Sequence, residues 1–290
     1  MFQFSLRRVL VFSGFVAIIA FFFSGLPAPA SAQIANGSFE TGFVDWSAIG
    51  GAAVTDSTFG VNPTDGFNQA FLTTDSTGMT GVGPNGTENI GPSVSASSIA
   101  SGLNLSASTL NNIVPQTTAI DGSAISQSIN VTAGQTLIFN YNFLTAEDPA
   151  ASSYGAAYNN DFSFFTLNGN AYELADSYGT NSTGTITPNP NGIEPNAGDY
   201  LMQTGYQTYD FKFATAGTYT LGFGVVDGLT SPNTDGGNDI ASALLVDNVY
   251  LQNPVAAAPE AGTFAQTALL LIAGGALLSV MRGRKQPRKS

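Results

Sequence analysis

Carboxylates are the chemistry this sequence offers. It holds 14 Asp and 6 Glu, with no Cys and no His. Thiolate nucleophiles, disulfides, histidine metal centres and a Ser-His-Asp triad are therefore excluded. Two kinds of chemistry remain open to the acids. Carboxylate oxygens are the usual ligands of hard divalent cations. Paired carboxylates also hydrolyse glycosides without His or Cys. No local motif singles out such a pair, and we read the chain as non-catalytic. The run Asp235-Gly236-Gly237-Asn238-Asp239 resembles a cation-binding loop in composition, but EF-hand spacing is absent.

Strand order decides which acids meet. If 135–144 and 161–167 are consecutive antiparallel strands, Glu147 and Asp161 share an end. The same argument over 217–226 and 241–252 brings Asp227 to Asp239. All four then line one pole as candidate metal ligands, the alternative being solvated loop acids. Aromatic rings are the other candidates, because they stack on the apolar faces of pyranoses. Trp46 is expected in the core. Tyr154, Tyr158 and Tyr178 fall in expected loops, where they either bind sugars or pack the loops.

The elements that must position these residues read as strands. Tyr209, Phe211 and Phe213 alternate with polar residues. So do Phe139, Tyr141 and Phe143, and Tyr219, Leu221, Phe223 and Val225 alternate with Thr and Gly. Each run is one apolar face and one polar or small face, as a half-buried strand requires. Further strands are expected at 69–74, 123–131, 161–167, 171–176 and 241–252, with turns at Ala133-Gly134, Asn168-Gly169 and Ala216-Gly217. Ile99, Leu103, Ala107, Leu110 and Val114 recur at helical spacing and predict a short amphipathic helix. Residues 177–206, rich in Asn, Gly, Pro and Thr, predict a long loop. The fold class expected is all-β: a two-layer antiparallel, jelly-roll-like β-sandwich with a short inserted helix.

Charge separates the body from the ends. Between residues 33 and 261, Lys212 is the single basic residue against 20 acids. Such a surface repels phosphate backbones, so nucleic acid is excluded as a partner. Residues 1–32 read as a signal peptide. Arg7-Arg8 precede an apolar run from Val9 to Phe23, and Ala30-Ser31-Ala32 offers a cleavage site. An uncleaved anchor is the alternative. Residues 33–254 form the β-sandwich ectodomain and 255–261 a linker. Residues 262–281 are uncharged and apolar, about 30 Å as a helix, and predict one transmembrane span. The basic tail at 282–290 places the C-terminus in the cytoplasm by the positive-inside rule.

Pro259-Glu260, the following apolar span and the Arg-rich end together resemble the PEP-CTERM sorting tail of bacterial exported proteins. Ala261 stands where that motif usually has a second Pro. The resemblance implies export to the cell envelope or surface, anchorage at least before processing, and an exosortase-like enzyme as partner. Asn36-Gly37-Ser38-Phe39-Glu40, Asp45-Trp46-Ser47 and Leu245-Val246-Asp247-Asn248-Val249 resemble the opening and closing strands of jelly-roll carbohydrate-binding modules. The runs from Asp121-Gly122-Ser123 to Gly205-Tyr206-Gln207 are similar to β-sandwich ectodomains that precede such tails. These resemblances imply a non-catalytic protein that binds extracellular polysaccharide. They also imply a structural calcium near the first and last strands, at Glu40 and Asp247. A purely structural surface protein without a small ligand is the alternative, and a glycoside-active enzyme a further one.

Overall fold

The structure is a computed structural model. It describes residues 33–84, 88–106, 108–115, 117–147, 160–178, 187–188, 200–229 and 241–254. The expected signal peptide, sorting motif, transmembrane span and basic tail lie outside these residues. Among the described residues, no helix is long and apolar enough to cross a membrane. Chain packing separates Met1–Gln252 from Asn253–Ser290.

Two antiparallel sheets form a sandwich. Sheet A contains β1 (Ser47–Ile49), β4 (Val94–Ser95), β5 (Thr118–Val131), β7 (Phe162–Leu167), β8 (Asn170–Asp176) and β12 (Gly217–Leu229). Its order is β1-β5-β12-β7-β8, with β4 also paired to β5. Sheet B contains β2 (Ala52–Asp56), β3 (Asn68–Thr73), β6 (Thr136–Thr145), β9 (Thr187–Pro188), β10 (Met202–Gln203), β11 (Gln207–Lys212) and β13 (Ser242–Gln252). Its order is β2-β3-β13-β6-β10-β9, with β11 also paired to β6.

Alternation sorts the side chains. Leu137, Phe139, Tyr141 and Phe143 of β6 meet Leu221, Phe223 and Val225 of β12 in the core between the sheets. Trp46 lies in this core, as expected, and its indole N–H donates to the Asn36 carbonyl at 3.1 Å. Burying aromatics of this size supplies much of the driving force for folding. On β12 the opposite face is glycine for a reason. A Cβ on Gly224 would stand 2.5 Å from the Phe164 ring, and one on Gly222 would stand 2.7 Å from Leu103.

Three expectations need correction. The helix expected across Ile99–Val114 is a seven-residue helix, α1 (Ala96–Gly102), followed by a 3-10 turn at Leu110–Asn112. Gly102 weakens the helix and Asn104 leaves it in the left-handed region at φ 56°. The apolar positions still share one purpose: Ile99, Leu103, Leu110 and Val114 cover the outer face of sheet A with Phe162 and Phe164. Ala107 lies outside the described residues. Second, the expected loop at 177–206 contributes the short strands β9 and β10 to sheet B. Third, Asn36–Glu40 is not an opening strand. Asn36 and Phe39 have φ values of 48° and 57°, and hydrogen-bonded turns carry the chain to β1. The Asn36 side chain holds these turns, donating to the carbonyls of Gly42 and Val44.

Candidate functional site

Glu40 and Asp247 come close to the same segment, residues 64–68. Asp247 precedes an irregularity in β13, where pairing with β6 shifts between Asp247 and Tyr250 and Asn248 takes φ 54°. The shift separates Asp247 from Val249, which the sequence places on one face. Val249 enters the core, while Asp247 lies on the other side beneath residues 64–65. Its Oδ2 accepts from the backbone N–H of Thr64 at 2.6 Å and of Asp65 at 2.8 Å, and from the Thr64 hydroxyl at 2.9 Å. Its Oδ1 accepts from the Asn248 N–H at 2.7 Å. Burial pushes the Asp247 carboxyl up, and these hydrogen bonds work against it. Glu40 Oε1 accepts from the N–H groups of Phe67 and Asn68 at 2.7 and 2.8 Å. Both carboxylates thus act as loop staples.

The acidic pole forms by a route other than the expected one. β6 and β7 belong to different sheets, as do β12 and β13. The connections cross between sheets, yet Glu147, Asp161 and Asp227 still gather at one end of the sandwich. Asp161 is buried at the start of β7, 1% exposed. Its Oδ1 accepts from the Gly228 N–H at 3.1 Å, and its Oδ2 has no hydrogen-bond partner. Asp227 sits where the β12–β5 register shifts between Val226 and Gly228. Burial pushes the Asp161 carboxyl well above the usual carboxylate range. Glu147 and Asp227 add to this, and the Ser242 hydroxyl offsets a part. Among the described residues, no group of three or more acids is placed so that it could hold a metal ion. Asp239 lies outside the described residues.

A second acidic pair lies on β8. Glu173 is pushed up to about 7 by burial, then by the charge of Asp176 and a hydrogen bond to it. Sequence pattern did not single out this pair, because the β7–β8 register shift between Ser163 and Phe164 is not visible in it.

Sheet B also carries a face that strand alternation makes partly polar. Its cross-strand rows run Thr208–Asn140–Asp247, Asp210–Ile138–Tyr250 and Lys212–Thr136–Gln252. Tyr250 is 40% exposed and Ile138 is half-buried. Around them runs an amide and hydroxyl network. Asn140 Nδ2 donates to Thr208 Oγ1 at 2.8 Å, and Asn248 Nδ2 donates to Asn140 Oδ1 at 2.8 Å. Phe67, 80% exposed, follows the stapled residues Thr64 and Asp65. The alternation of 207–212 signals the outward set on β11. Tyr250 escapes it, because the β13 irregularity resets the phase. Of the tyrosines expected in loops, Tyr178 is half-buried just after β8, and Tyr154 and Tyr158 lie outside the described residues.

No family model matches this chain. No curated protein matches it either. Among solved structures, it is similar to TmCBM61 in complex with β-1,4-galactotriose. That similarity is at 12% identity over 76% of this chain and 97% of the other, with a TM-score of 0.34.

Proposed function

We propose that this chain is an exported, non-catalytic envelope or matrix protein whose β-sandwich binds extracellular polysaccharide with calcium as structural support. The observation that carries the reading is the face of sheet B around Tyr250. A pyranose has an apolar face and a rim of hydroxyls. Tyr250 and Ile138 offer an apolar platform, and Asn140, Thr208, Asp210 and Gln252 offer donors and acceptors beside it. With Lys212 as the body's one cation, neutral polymers suit the face better than sulfated or uronate-rich ones.

The test is retention of the purified full chain on a panel of polysaccharides, with calcium and then with EDTA. Retention on a neutral polymer, weakened about tenfold or more by Tyr250→Ala, supports the reading. Retention on none moves the protein to the purely structural alternative. Export and sorting rest on the two chain ends, with an exosortase-like enzyme as the partner that would read Pro259-Glu260. Deleting 255–290 is expected to move the protein from the membrane fraction to the soluble one, and unchanged fractionation counts against a sorting tail.

A further inference from the structure

An open cleft of about 330 Å³ lies beside β8, the edge strand of sheet A, and is lined by Thr109, Asn112, Ile113, Asn170, Ala171 and Tyr172. Its two walls are fixed separately. One is the 3-10 turn at Leu110–Asn112. Leu110 is buried against the outer face of sheet A, and the Asn111 side chain accepts from the Ala119 N–H at 2.8 Å. The other wall is the β7–β8 turn at Asn168-Gly169, where φ values of 48° and 83° make the tight reversal. Asn168 Oδ1 accepts from the Thr220 N–H of β12 at 2.7 Å, which pins this turn to the sheet. The Tyr172 ring is held by stacking on Phe165, with centroids 4.8 Å apart. The cleft is thus formed before any ligand arrives, and little ordering is left for binding to supply.

Among the described residues, none that lines the cleft carries a charge. Asn112 and Asn170 are exposed, and a side-chain amide offers both donors and an acceptor. Ile113, Ala171 and Tyr172 are half-buried and supply apolar surface beside them. An anion would meet no cation here, and a cation would meet no carboxylate. A wholly apolar ligand would take the amides out of water without partners. A sugar matches both halves, because its ring has an apolar face and its hydroxyls donate and accept. The volume lies at the small end of the about 300–1,000 Å³ usual for small-molecule sites, which suits a short ligand. We propose that this cleft is a second sugar site, for a short neutral oligosaccharide, separate from the Tyr250 platform. Ile113 and Ala171 pack on the outer face of sheet A, whereas Tyr250 pairs with Ile138 on the outer face of sheet B. The two sites therefore lie on opposite sides of the sandwich. The choice of a sugar as occupant rests on the polysaccharide reading given above, but the cleft and its neutral lining do not.

The experiment is calorimetric titration of the full chain with neutral trisaccharides of glucose, mannose and galactose, in a detergent without a sugar head group. The chain carrying Tyr250→Ala is expected to keep binding at least one of them. Adding Asn112→Trp, which sets a bulky ring at the cleft from an exposed position, is expected to weaken that binding by about tenfold or more while the circular dichroism signal stays unchanged. If that variant fails to fold, Asn170→Ala, which removes one amide, is expected to weaken it by about threefold or more. A Tyr250→Ala chain that binds none of the trisaccharides overturns the proposal. Binding that stays within about twofold in the cleft variants also overturns it. Polymer retention that depends on Tyr250, with no trisaccharide binding left in Tyr250→Ala, removes the cleft and leaves the platform standing. A wild-type chain that binds no trisaccharide and is retained on no polymer removes both.

Discussion

Glu173 shows how one side chain sets a pH dependence. Its carboxyl is half-buried and shares a small space with Asp176, so the folded protein holds its proton up to about 7. The ordinary value is 4.5. The folded state therefore binds this proton more tightly than the unfolded chain does. The stabilisation is complete below the unfolded value and is lost as pH rises through about 7. Glu173→Gln is expected to flatten the melting temperature over that window, as followed by circular dichroism. A wild-type slope unchanged by the substitution would rule Glu173 out as its source. Residue types alone suggest acids as the chemistry, and three of the four pole acids do gather. The Tyr250 platform and the Glu173–Asp176 pair are not legible, because each depends on a register shift that side-chain pattern does not encode.

Elements were more readable than sites, and the reason is physical. A strand buried on one face writes its period into the sequence, so β6, β7, β8, β11 and β12 fall within a few residues of the expected spans. β1, β2, β4, β9 and β10 are short and carry too few alternations to signal. Helical spacing across Ile99–Val114 correctly marks residues that cover sheet A, but Gly102 and Asn104 interrupt the helix itself. What covers β12 also fixes its glycines. Gly224→Ala places a methyl against the Phe164 ring and is expected to cost about 1–3 kcal/mol in a denaturation experiment. An unchanged midpoint would mean that the ring moves aside freely. Gly91, whose added Cβ would meet nothing within 4 Å, is the control.

At the scale of the molecule, the two sheets exchange chain repeatedly. Segments far apart in sequence are neighbours, and β13 is the extreme case. It is the last described strand, yet it lies inside sheet B between β3 and β6. The earliest described segment depends on it too, since Val249 N–H donates to the Gly37 carbonyl at 2.9 Å. Such long-range pairing is slow to establish. It also means that a growing chain has no finished sheet B until Gln252 has been synthesised. A chain cut after residue 241 is expected to collect in the insoluble fraction, with β3 and β6 left as open edges. Soluble, folded product from that truncation would show that sheet B closes without its central strand. If the chain is exported across a membrane as proposed above, sheet B would stay open during passage, because its last described strand is also one of its inner ones.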